Sequence, residues 1–207
     1  MVLRAASGAS GGTQVIILGL DTAGQSGSVA LVDETQILAS FYLRQAPTLS
    51  SHLLRIIDLV CGQMGCRLDD LEGLAVSLGP GGFTSLRVGL ATAQGLAMAT
   101  GKPLVGCSAF EALVAFAEGW NGAICPVLEA RRGEVYAAFY QRQGSAMHET
   151  IPGMVTTPDR LFRMERLEAG AATMRALCAL LNRASSRPPK PPICAITPSC
   201  FNFRSVR

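Results

Sequence analysis

Apolar residues recur along this chain with two periods, and the switches between them lay out the elements. Residues 15–20, 27–32 and 36–43 are short runs rich in Val, Ile, Leu and Ala, separated by Asp21-Thr22-Ala23-Gly24-Gln25-Ser26 and Asp33-Glu34-Thr35. That spacing predicts an antiparallel meander. From residue 49 the period becomes helical and persists to Met64, with Ser50 or Ser51 as the cap. A continuous apolar run at 73–78 reads as a strand buried on both faces, followed by a helix over 84–99, a strand over 104–106 and a helix over 108–118. A meander followed by β-α alternation predicts an α/β fold, a mixed sheet covered by helices.

Two of these helices carry more apolar surface than one sheet face can hide. On the wheel of 51–64, Leu53, Ile56, Ile57, Leu59, Val60, Cys61 and Met64 cover well over half the circumference, leaving Arg55, Asp58 and Gly62 as the polar side. Over 84–99, Leu86, Val88, Leu90, Ala91, Ala93, Leu96, Ala97 and Met98 spread right round, with polarity only from Arg87, Thr92 and Gln94. One such helix reads as a helix sandwiched in a core; two in succession point to a protein partner. The expected interface comprises Leu53, Ile56, Ile57, Val60 and Met64 on the first helix and Leu86, Leu90, Ala93 and Ala97 on the second.

Beyond Trp120 a second, smaller lobe is expected. Strand candidates at 123–129 and 134–141 flank Ala130-Arg131-Arg132-Gly133, residues 161–182 carry helical periodicity, and Pro188, Pro189, Pro191, Pro192 and Pro198 crowd the tail. The organisation expected is a flexible extension at 1–14, a first lobe at 15–119, an incomplete second lobe at 120–184 and a proline-rich tail at 185–207.

Composition narrows the class. With 207 residues and 49% hydrophobic content the chain is not a disordered one, and a net charge of +3 gives no electrostatic case for direct nucleic-acid binding. Seven cysteines, an odd number without a C-x-x-C pair, are the usage of a reducing compartment. With neither a signal peptide nor a spanning segment read in the sequence, the expected location is cytoplasmic, away from membranes.

Candidate chemistry concentrates in two turns. Asp21, Thr22 and Ser26 lie in a hairpin whose hydroxyls and amides can cradle phosphate oxygens, although turns use the same residues for structure alone. Gly79, Gly81 and Gly82, around Pro80, precede a helix and can present amides to an anion. A P-loop is excluded, because the Gly-x-x-x-x-Gly-Lys-Ser/Thr pattern is missing and no lysine follows in the first helical turns. His52 and His148, the only histidines, lie far apart without metal-ligand spacing, so no metal site is expected. No serine occupies a nucleophile elbow, and no catalytic residue is assigned.

Three blocks are recognisable together: Ile17-Leu18-Gly19-Leu20-Asp21-Thr22-Ala23, the stretch from Ser77 to Gly89 that contains Gly79-Pro80-Gly81-Gly82-Phe83-Thr84, and Leu128-Glu129-Ala130-Arg131-Arg132-Gly133-Glu134-Val135-Tyr136. They resemble the bacterial TsaB (YeaZ) family, over roughly residues 15–157. The resemblance implies an actin-like ATPase (ribonuclease H-like) fold and a non-catalytic part in making threonylcarbamoyladenosine next to the tRNA anticodon. It also implies pairing with a TsaD-like transferase through the helices matching 51–64 and 84–99, self-dimerisation when alone, and a TsaE-like ATPase as a further associate. ATP would enter at the level of the complex, with no cofactor assigned to this chain, and tRNA would be met only through the complex.

The TsaD-like relative carries a metal-binding Asn-His-x-Glu-Ala/Gly-His motif where this chain reads Ser108-Ala109-Phe110-Glu111-Ala112-Leu113; Ala109 and Leu113 cannot ligate a metal. The chain also departs from TsaB-like proteins. Glu129 stands where they usually have Asp, and the Gly-Asp/Asn-Gly turn and the Pro-x-Tyr-Leu-Arg ending are missing from 164–207. The competing expectation is an enzyme acting alone: an actin-like-fold kinase using Asp21, or a glycoprotease-like peptidase.

Overall fold

The computed structural model describes residues 2–5, 15–24, 26–43, 51–117 and 119–168. The chain divides between Phe116 and Ala117 into two compact units. In the first, β1 (Val2–Ala5), β2 (Ile17–Asp21), β3 (Gly27–Val32), β4 (Ile37–Leu43), β5 (Gly73–Ser77) and β6 (Leu104–Cys107) form one sheet in the order β1-β4-β3-β2-β5-β6. The β2-β3-β4 meander is antiparallel, while β5 runs parallel to both β2 and β6. This mixed order is the expected fold class, the ribonuclease H-like half of an actin-like ATPase fold.

The reason is visible in the side chains. β2, β3 and β5 are buried almost end to end, so their apolar runs must be covered on both faces. On one face Leu18, Leu20, Val29, Leu31, Leu74 and Val76 meet α1 (Leu53–Met64) and α2 (Phe83–Thr100); on the other, Ile17, Ala30, Val32 and Ala75 form a smaller cluster. Between β3 and β4, the Asp33 carboxylate accepts from the amides of Thr35 (2.7 Å) and Gln36 (2.7 Å) and from the Thr35 hydroxyl (2.9 Å), closing the predicted turn.

Helix ends follow local chemistry. α1 begins after His52 with no side-chain cap and stops at Gly65 (φ 62°), where the amides of Gly65 and Cys66 bond back to Gly62 and Cys61, a Schellman arrangement. α3 (Ala109–Ala115) starts with a full capping box: Ser108 accepts from Phe110 N (3.2 Å) and Glu111 accepts from Ser108 N (2.9 Å).

The second unit has β7 (Gly122–Ile124), β8 (Val127–Glu129), β9 (Val135–Gln143) and β10 (Ala146–Thr156), with β7, β8 and β10 each antiparallel to β9, followed by α4 (Pro158–Glu168). Cys125, Ala137, Phe139 and Leu161 form its core, with Val127, Val135 and Ile151 against it. Pro158 opens α4, where its missing N–H is harmless, and the Thr157 hydroxyl accepts from Arg160 N (3.4 Å).

The structure refines the expected elements at three places. Within the extension expected at 1–14, Val2–Ala5 forms a strand paired with β4; the other residues of that stretch lie outside the described ones. The run 123–129 is two strands, because Pro126 cannot donate to the ladder. Strand β10 has no counterpart in the sequence reading. The late helix is described as far as Glu168; the remainder of 161–182 and the tail 185–207 lie outside the described residues.

Candidate functional site

The parallel strands β2 and β5 end side by side, and the two candidate anion loops leave from their carboxyl ends. Asp21 closes β2; its Oδ1 accepts from the Ala23 amide (3.0 Å), and the Ser77 side chain at the end of β5 bonds to the same carboxyl. Burial pushes the Asp21 pKa up from the ordinary carboxylate value, outweighing these two hydrogen bonds, which pull it down.

The two loops are tied to each other. Gly82 N donates to the Ala23 carbonyl (2.6 Å), and Gly81 lies so close beneath that carbonyl that a Cβ there would overlap it. Thr22 is buried and donates its hydroxyl to the Ser85 carbonyl in the first turn of α2 (2.7 Å). Gly79 takes φ 84°, open to glycine, and its carbonyl accepts from Ala109 N at the start of α3 (2.8 Å). The two turns expected to cradle an anion thus meet at one place, where the Thr22 hydroxyl and the Gly82 amide are engaged within the protein. Ser26 is half-buried in the hairpin.

The expected interface residues divide. Leu53, Ile56, Ile57, Val60 and Ala93 are buried in the core of their own unit, and Met64, Leu86, Leu90 and Ala97 are half-buried. Assigning the first four to a surface is corrected by the direction of the helix: that stripe of α1 faces β3 and β4. The outward apolar residues of the two neighbouring helices are others. Leu54 is 60% and Leu59 38% exposed on α1, and Phe83 61% and Met98 86% on α2. The Arg87 guanidinium lies 3.8 Å from the Phe83 ring centroid, a cation–π stack presented at the start of α2. On the wheel of α1, Leu54 and Leu59 flank the buried stripe on its two sides; nothing in the periodicity singled out Phe83.

At α3, Ala109 is buried and Leu113 half-buried, one helical turn apart, and Ser108 and Glu111 serve as caps. Among the described residues no group of three or more His, Cys, Asp or Glu side chains gathers. Nor is any described helix long and apolar enough to cross a membrane.

A mixed sheet in this strand order, with glycine-rich loops at the carboxyl ends of its parallel strands, defines an α/β protein of the actin-like ATPase class. The family model described as TsaD, tRNA N6-adenosine threonylcarbamoyltransferase, matches residues 36–192. The tRNA threonylcarbamoyladenosine biosynthesis protein TsaB of Escherichia coli is 37% identical over 162 residues, 76% of this chain and 70% of that protein. The TsaB of Bacillus subtilis is 30% identical over 141 residues, 66% of this chain and 59% of that protein. The solved structure of YeaZ from Pseudomonas aeruginosa superposes with a TM-score of 0.62 at 30% identity, covering 70% of this chain and 68% of that one. The chain belongs to the TsaB (YeaZ) family.

Proposed function

We propose that this protein is the non-catalytic accessory subunit of tRNA threonylcarbamoyladenosine formation, acting by pairing with a TsaD-like transferase. The observation that carries the reading is the outward apolar surface of α1 and α2 in a chain of this family. Leu54, Leu59, Phe83 and Met98 face solvent in the isolated chain, and large apolar side chains clustered on neighbouring elements mark interfaces. The half-buried Leu86, Leu90 and Ala97 extend that surface toward the core. Ala109 and Leu113 at the ligand positions of the TsaD-like metal motif support assigning the transfer chemistry to the partner.

On this reading a second copy occupies the same surface when the transferase is absent, and tRNA and a TsaE-like ATPase are met through the complex. Size-exclusion chromatography with light scattering tests it, using the chain alone and mixed with a TsaD-type protein from the same cell. A one-to-one heterocomplex that displaces a self-dimer is the expected result. Two folded proteins that elute separately would overturn it.

A further inference from the structure

The Thr22 hydroxyl of the hairpin loop is bonded directly to the proposed interface helix. The residue is buried, and its hydroxyl donates to the Ser85 carbonyl at 2.7 Å. In helical geometry that carbonyl already serves the amide four residues on, at Gly89; Thr22 takes its second lone pair. Gly89 is glycine where a Cβ would overlap the Thr22 Oγ1 and lie 3.2 Å from its Cγ2. The helix has been cut away at the point where the threonine rests.

The N-terminus of α2 needs such support. Its N-cap, Gly82, has no side chain with which to bond the first turn. The hairpin supplies the order instead: Ala23 O holds Gly82 N, and the Thr22 hydroxyl holds Ser85 O, two ties from adjacent residues to one helical turn. That turn carries Phe83 and Arg87, two residues to either side of Ser85, stacked at 3.8 Å and exposed. Exposed aromatic and Arg side chains contribute heavily to association when they are held in place beforehand.

We propose that Thr22 is a positioning residue for partner association: its hydroxyl fixes the first turn of α2 and thereby the Phe83–Arg87 stack that the partner meets. The inference rests on the pairing proposed above. Loss of the tie leaves the stack present but loosely oriented, so association weakens through lost order rather than lost contact.

The test compares three full-length variants. Thr22→Val keeps the shape and deletes the hydroxyl, Thr22→Ser keeps the hydroxyl, and Ile17→Val trims the small cluster on the opposite sheet face as a control for stability alone. Kd for the TsaD-type partner is measured by calorimetry, and amide exchange is followed over residues 86–90. Thr22→Val should weaken binding about fivefold, the scale of one lost hydrogen bond, and speed exchange in that turn. Thr22→Ser should restore both, and Ile17→Val should change neither. Equal weakening in Ile17→Val, or a Thr22→Val Kd equal to the parent's, would overturn the positioning role. Failure of the parent itself to bind would sink the pairing. Exchange would still decide the role of Thr22, since unchanged protection of 86–90 in Thr22→Val refutes it.

Discussion

At the scale of single residues, Asp21 shows a carboxylate held where burial works against its charge. Its folded pKa lies above the unfolded one, so its contribution to stability is fully present below the unfolded value and lost as pH rises through the folded value. Asp21→Asn retains an acceptor for the Ala23 amide without the charge. The variant should therefore melt higher than the parent at neutral pH, with the gap shrinking on acidification, a comparison made by thermal melts between about pH 3 and 7. A lower neutral Tm for Asp21→Asn would contradict it. The residue was legible as the last position of a strand entering a turn; its raised pKa was not, because desolvation depends on the neighbours β5 brings from more than fifty residues away.

At the scale of elements, α1 carries two opposed predictions. Leu53 and Ile57 lie in the core, so truncating either to Ala should cost about 2–5 kcal/mol in denaturant unfolding, whatever its partner state. Gly65 ends the helix at φ 62° with open space around its α-carbon, so Gly65→Ala meets no clash and should lose only about 1 kcal/mol, the conformational penalty. If Leu53→Ala cost no more than Gly65→Ala, the inward direction of that stripe would be wrong. The sequence wheel showed that α1 was largely apolar but not which part met the sheet, since Leu59 and Leu54 are as apolar as Leu53. β10 escaped notice for a different reason. Pro152 and Gly153 interrupt it, its register slips between Glu149 and Ile151 and again between Ile151 and Met154, and most of it is exposed. A strand defined by pairing to β9, with little alternation of its own, leaves a faint trace in hydropathy. The meander was plain because its short loops left few alternatives, and α2 because its long apolar run, opened by the Gly79–Gly82 turn and closed at Gly101, is too long for a strand.

At the scale of the whole molecule, the two compact units and the outward faces of α1 and α2 separate folding from association. Leu54→Arg with Met98→Arg places charge where both side chains already face water. The double variant should keep its Tm, surface changes being worth within about 0.5 kcal/mol, while losing the heterocomplex in light scattering. A retained complex would move the interface elsewhere. The family blocks made the class of the first unit legible, because glycine turns demanded by close backbone approach, as at Gly81, leave a fixed spelling.

The position of β2 matters before the protein is finished. Its antiparallel partner β3 follows at once, but its parallel partner β5 begins only at Gly73. At about 5–20 residues per second, the ribosome needs roughly 3–10 s to add the intervening stretch. Until β5 is made, the edge of β2 that it will cover has no partner strand, although Leu18 and Leu20 on β2 are fully buried in the finished sheet. A strand interior to the mature sheet is therefore the one whose second edge waits for its partner while the chain is being made.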